Sequence, residues 1–215
     1  MKISIIGATG MAGSALVAEA LKRGHSVTAL ARSAEKLAKL PVNPNLTTKV
    51  QDAFALTPAE LATADVVIDA FATAPSLAFQ HVDLAASLAA KLRETTQPRL
   101  VFILGAGSLQ TGDDHHLFVE DIAKDPNAAA FLSVPQNQLK ELNFLRDVDN
   151  VNWVGVSPAA NFHPGDATPF LMGDDELLVN ANQESGTSAG TMAVAILDEI
   201  EHPQHHQARF TVADK

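Results

Sequence analysis

The 215-residue chain contains no cysteine, which excludes disulfides, thiolate catalysis and Cys-ligated zinc or iron–sulfur centres. It also contains no tyrosine, and aromatic residues make up only 5% of it. Basic residues are scarce as well. Lys+Arg number 15 against 25 Asp+Glu, a formal net charge of −10. A chain this acidic does not hold a phosphate backbone by bulk electrostatics, and it carries no local basic patch, so no nucleic-acid partner is expected. Long hydrophobic runs are missing too. The opening MKISIIGATGMAGSALVAEA superficially resembles a signal peptide, but Gly7, Gly10, Gly13 and Glu19 interrupt it and Lys22-Arg23 close it. No apolar stretch reaches the roughly 18 residues of a membrane span, and a soluble cytoplasmic protein without a membrane partner is expected.

What the chain does have is a core. Hydrophobic residues make up 47% and charged residues 19%, which suits a packed globular fold rather than disorder. Its length predicts a single domain over 1–215. Ile3–Ile6 reads as a buried strand, Ser14–Arg23 as a helix, Ser26–Ala31 as a strand and Ala34–Leu40 as a helix. Asn45–Val50 predicts a third strand, Pro58–Ala64 a weak helix, Asp65–Phe71 a fourth strand, Ala74–Arg93 a helix and Leu100–Leu104 a fifth strand. Such alternation predicts an α/β fold with a doubly wound parallel sheet, and the continuous apolar strands fit a sheet covered on both faces.

The second half is less regular. Gln110–Ala128 reads as a polar loop, Gln136–Arg146 as a helix and Val151–Val156 as a sixth strand. Ser157–Asp175, rich in Pro, Gly and Asp, reads as a surface lobe, so the expected division is a core over about 1–156 and a C-terminal lobe with closing elements over about 157–215. Ala189–Ile200 predicts a helix and Arg209–Val212 a last strand.

The chemistry centres on Gly7-Ala8-Thr9-Gly10-Met11-Ala12-Gly13, between the first strand and the first helix. In that position Gly7 permits a tight turn, Gly10 lets backbone approach a pyrophosphate, and Gly13 lets the helix pack close to the strand. The helix N-terminus adds free N–H donors and the positive end of its dipole, with Thr9, Met11 and Ala12 on the anion. After the second strand an NAD site places an acid on the ribose hydroxyl. Here Arg32 and Ser33 stand instead, which favours a 2′-phosphate and hence NADP over NAD, the competing reading being a solvated arginine. Asp52, after the third strand, suits either the adenine edge or an N-cap, and Ala70 and Phe71 leave room for the adenosine ribose or simply pack.

These residues resemble a known group. GATGMAG, ALARSAEKL, ILGAGSL and WVGVSPAANFHPG are similar to the atypical short-chain dehydrogenase/reductases. SAGTMAVAILDEIEHP and the closing ARFTVAD resemble their NmrA-like branch, assigned to NAD(P)H-flavin reductases, over residues 1 to about 213. The resemblance implies a Rossmann-type core with a small C-terminal substrate lobe. It places the cofactor across Gly7–Gly13, with its nicotinamide near Gly105, Ser108 and Pro158. The group includes both reductases and cofactor-sensing regulators.

Most short-chain dehydrogenases protonate a carbonyl with a Tyr four residues before a Lys. Lys140 falls in the corresponding helix, but Gln136 precedes it, and no Tyr exists anywhere in the chain. That disfavours carbonyl reduction and sugar-nucleotide epimerisation by the usual acid. Hydride transfer to a flavin or quinone needs chiefly positioning, because the delocalised product anion can take its proton from water. The expected activity is therefore an NADP-dependent oxidoreductase with a planar acceptor, flavin being a substrate rather than a bound group. A non-catalytic dinucleotide sensor fits equally well. Ser108 is the candidate positioning hydroxyl, against a turn serine bonded to its own backbone. His115 and His163 are candidates for the substrate pocket, and Phe162 and Phe170 for its wall or for the lobe's own core. The Asp113-Asp114-His115-His116 run reads as a solvated loop rather than a metal site.

Overall fold

The computed structural model describes all 215 residues. The elements in chain order begin with β1 (Lys2–Ile6), α1 (Met11–Lys22), β2 (Ser26–Ala31), α2 (Ala34–Leu37) and β3 (Leu46–Val50). They continue through α3 (Pro58–Leu61), β4 (Val66–Asp69), α4 (Gln80–Leu92) and β5 (Thr95–Ile103). The second half holds β6 (Gln110–Thr111), β7 (His116–Leu117), α5 (Phe118–Lys124), α6 (Ser133–Arg146) and β8 (Val151–Pro158). It closes with β9 (Asn161–His163), β10 (Phe170–Gly173), β11 (Gly186–Ser188), α7 (Ala189–Glu201) and β12 (Arg209–Asp214).

Eight strands form one sheet in the order β10-β12-β8-β5-β4-β1-β2-β3. All neighbours are parallel except β10, which runs antiparallel to β12 at the edge. This is the Rossmann-type doubly wound arrangement expected, and the order reverses between β1 and β4. Each face of the sheet carries its own core. On one, α1 and α7 pack Leu16, Val17, Ile196 and Leu197 against Ile3, Ile5 and Phe210; on the other, α4 and α6 pack Leu84, Leu88 and Leu142 against Phe102 and Trp153. Because both faces are covered, the inner strands carry continuous apolar runs, as in Val66-Val67-Ile68.

Several expectations need correction. Gln110–Ala128 is not one loop: it holds the β6–β7 hairpin and α5, whose seven residues bury only Val119 and so leave no helical stripe to read. The helix expected from Ala74 starts at Gln80, after a short 3-10 turn at Pro75–Leu77. β5 begins at Thr95, five residues early, because its first turn-side residues are polar and exposed. Ser157 and Pro158 continue β8 inside the sheet, and Phe170–Gly173 of the expected lobe supplies the sheet's edge strand. β9 pairs in parallel with β11 as a separate two-stranded ribbon.

Candidate functional site

Strand order reversal opens a cleft beyond the carboxyl ends of β1 and β4. The glycine-rich turn forms its floor. Gly7 has φ +73°, and a Cβ there would lie 2.3 Å from the Ala70 carbonyl oxygen. A Cβ on Gly13 would lie 2.2 Å from the Gly7 carbonyl oxygen, so α1 seats directly on the turn only because that side chain is missing. Gly10 differs: its Cβ would meet only the Gly7 oxygen, at 3.3 Å. Gly10 N donates to Gly7 O at 2.9 Å and Ser14 N donates to Gly10 O at 2.9 Å. The N–H groups of Met11, Ala12 and Gly13, between them, are the helix's intrinsic free donors. No side chain caps them, and no acid occupies the first turn.

Two hollows flank this turn and share Gly10, Ala70, Phe71 and Ala72 in their walls. The polar one, about 250 Å³, is lined by Gly7, Thr9, Arg32, Lys36, Gln51 and Asp52 among others. Arg32 and Lys36 are exposed there, while the neighbouring acid Glu35 pairs with Lys39 at 2.9 Å. Ser33 is turned away as the N-cap of α2, its hydroxyl accepting from Lys36 N at 3.2 Å. Asp52 lines the hollow and also N-caps the short turn at Ala53–Ala55, accepting from Phe54 N at 3.1 Å.

The second hollow, about 300 Å³, is mainly apolar. Met11, Ala12, Phe71, Ile103, Pro158 and Phe162 are among its lining residues. Gly105 lines it as well. A Cβ there would come 2.2 Å from the Gln138 carboxamide oxygen, so this glycine admits the close approach of α6. Phe170 lies elsewhere, packed from β10 onto the core.

Three candidates are not brought to the cleft. Ser108 is 3% exposed; its hydroxyl donates to Gly105 O at 3.0 Å and accepts from Arg209 Nη1 at 3.2 Å. Ser157 Oγ and Asp175 converge on the same guanidinium, so Ser108 helps satisfy a buried cation instead of facing a ligand. His115 is exposed on the β6–β7 hairpin and pairs with Glu176 at 3.1 Å. His163 lies beside Asp214, 3.5 Å away, with Nδ1 2.9 Å from the Pro164 oxygen, outside both hollows. His116 is held between Asp114 and Asp121, whose hydrogen bonds raise its pKa.

Sequence reasoning missed a set of buried titratable side chains, one of which lines the apolar hollow. Asp69 ends β4 and is 6% exposed; burial pushes its carboxyl up to about 7, although it accepts from Phe71 N at 2.9 Å. Glu141 of α6 is buried, and burial, reinforced by the Asp69 charge, raises its pKa well above the usual carboxylate range. His81 of α4 lines the apolar hollow, and burial lowers its pKa. The signal was present. His81 precedes Leu84, Ala85 and Leu88 on one helical stripe, and Glu141 precedes Leu145 by four, so both sit at core-facing positions.

Comparison with known proteins adds relatives to this geometry. The NAD(P)H-binding family matches residues 7–203. The uncharacterized protein YwnB of Bacillus subtilis is 37% identical over 217 aligned positions, covering 100% of this chain and 99% of the relative. A crystal structure from Lactobacillus casei is 38% identical, with a TM-score of 0.92 over 100% of this chain and 99% of that one. A Streptococcus pneumoniae structure, provisionally named an NADH-flavin reductase, is 32% identical, with a TM-score of 0.89 over 100% of both chains.

Proposed function

Because the chain belongs to the NAD(P)H-binding family, in line with its resemblance to the atypical short-chain dehydrogenase/reductases, we propose that it is an NADPH-dependent reductase of flavin or quinone-like acceptors. The carrying observation is the two-part cleft: a hollow with two free cations joined, across an uncapped helix N-terminus, to an apolar one. The residues present fit a dinucleotide. The backbone from Gly7 through Thr9 and Gly10 to Met11, Ala12 and Gly13 suits the pyrophosphate. Arg32, joined by Lys36, suits a 2′-phosphate, and Asp52, Ala70 and Phe71 border the adenosine side. Gly105 and Pro158 then border the nicotinamide, and Phe162 walls the acceptor. When bound, the reduced dinucleotide supplies a hydride.

On this reading residues 1–215 act as one NAD(P)-binding domain. The name of the pneumococcal relative supports a flavin acceptor, and the absence of tyrosine supports an acceptor that needs no phenolic acid. Ser108, turned toward Arg209, supports a second reading, a dinucleotide sensor without turnover, because it leaves the apolar hollow without the expected hydroxyl. One assay separates the two. Purified protein is mixed with NADPH and FMN or menadione, and nicotinamide absorbance is followed. Turnover well above the protein-free rate supports the reductase; tight NADPH binding without turnover supports the sensor.

A further inference from the structure

Glu141 Oε2 is the buried side-chain atom left without a hydrogen-bond partner. An unsatisfied buried carboxyl is destabilising, and an apolar residue at this core position would avoid that cost. Its surroundings suggest a use. His81 Nδ1 lies 3.8 Å away and is the basic group within ion-pair distance of Glu141. The His81 ring is 5% exposed, lines the apolar hollow, and packs edge-on against Phe71 with centroids 5.5 Å apart. Asp69 lies near enough from β4 for its charge to act on Glu141, and its carboxylate oxygen accepts from the Phe71 backbone. The titratable groups facing one another here are thus Asp69 from the sheet, His81 from α4 and Glu141 from α6, with no lysine or arginine paired to any of them.

We propose that Glu141 and His81 form a proton relay that opens on the apolar hollow and completes the reduction carried out there. The relay rests on the reductase reading above. Burial favours the neutral acid form of Glu141 and the neutral imidazole of His81. An acid O–H directed at Nδ1 places the ring proton on Nε2. As the acceptor gains a hydride from the reduced dinucleotide, which is oxidised in the exchange, a nitrogen or oxygen of the acceptor takes the Nε2 proton. The Glu141 O–H bond breaks and an N–H bond forms at Nδ1; between turnovers Nε2 takes a proton from water in the hollow and Nδ1 returns its proton to the Glu141 carboxylate. The acceptor thereby receives two electrons and two hydrogens. The 3.8 Å separation is longer than a hydrogen bond, as is common for catalytic pairs before substrate is bound.

The first test needs no dinucleotide. Nitrogen NMR of the ¹⁵N-histidine-labelled free protein, from about pH 5 to pH 8, spans the ordinary histidine titration. The expected result is a neutral His81 ring with its proton on Nε2, altered in Glu141→Gln. A ring protonated at neutral pH, or with its proton on Nδ1, means Glu141 is a carboxylate and overturns the relay. The second test is turnover with NADPH and menadione. Glu141→Gln and His81→Asn should lower kcat by about a hundredfold, the lower range for general-acid catalysis, while NADPH affinity stays unchanged and so reports an intact fold. His81→Ala should regain turnover with added imidazole, which a merely structural histidine would not permit. Unchanged kcat in both variants overturns the relay alone. A wild type that binds NADPH but reduces no acceptor overturns the reductase reading and the relay with it.

Discussion

The two hollows on either side of the glycine-rich turn are about equal in size and opposite in chemistry. The polar one presents Arg32 and Lys36 to solvent with no acid paired to either, an arrangement suited to reading charge at the rim of a ligand. The apolar one has no free cation in its walls, and its titratable groups lie beneath the surface with their ionisation shifted by burial. Surface charges in the first are screened and cheap to hold, whereas buried acids in the second are costly. Under the proposed function this difference becomes a division of labour, in which one hollow would select and anchor the dinucleotide and the other would host the reaction.

The turn between them is where the comparison breaks most completely. Gly13→Val forces a side chain into the Gly7 carbonyl, where even a Cβ would stand at 2.2 Å, and overpacking of this kind costs about 3 kcal/mol or more. The expected outcome is a large fall in melting temperature by circular dichroism. Gly10→Val is expected to leave the melting temperature nearly unchanged and to abolish NADPH binding, since its side chain grows into the cleft rather than into the fold. Equal destabilisation by both would show that Gly10 is structural only.

Next in size is the buried acid Asp69. At low pH both folded and unfolded chains carry the Asp69 proton. As pH rises past about 3.9 the unfolded chain releases it while the folded one keeps it, up to about 7. Stability contributed by this group therefore falls with rising pH across that window, at a limiting slope of about 1.4 kcal/mol per pH unit for one proton. Asp69→Asn retains an acceptor for Phe71 N and should unfold at higher urea than wild type, by a margin that widens from pH 4 to pH 7. A margin that does not vary with pH would refute the shifted ionisation.

The polar hollow is sharpened by Arg32→Ala. Hydrogen bonds to a charged group are worth roughly 1.5–3 kcal/mol, so NADPH affinity should fall about tenfold to a hundredfold while NADH affinity barely moves. Calorimetric titration with both cofactors at fixed salt checks this, and equal loss for both would reduce Arg32 to a surface charge. The smallest effect on binding and turnover is expected at Ser108. Ser108→Ala removes two hydrogen bonds, one donated to Gly105 O and one accepted from Arg209, at about 0.5–1.5 kcal/mol of stability each, and should leave turnover untouched. A large loss of turnover with unchanged stability would return Ser108 to the reaction.

The polar hollow was largely legible in the sequence because short segments build it. The turn at 7–10 and Arg32 at a strand end are fixed by the βαβ unit itself, and strand periodicity places them. Ser33 escaped because capping competes for a hydroxyl at the same position. The apolar hollow draws on segments as far apart as Met11, His81, Gln138 and Phe162, and no local pattern brings those together. Ser108 illustrates the same point. Its orientation is decided by Arg209, 101 residues away, whose burial beside Asp175 has no signature in ARFTVAD.

Direct hydride transfer in the apolar hollow is tested most directly with NADPH carrying deuterium at one or the other face of nicotinamide C4. A dinucleotide held across the turn exposes a single face to the acceptor. Wild-type turnover with menadione should be slowed by deuterium at one face alone, and the label lost should be that deuterium. Equal slowing and equal loss from both faces would place the reaction in free solution and contradict the account.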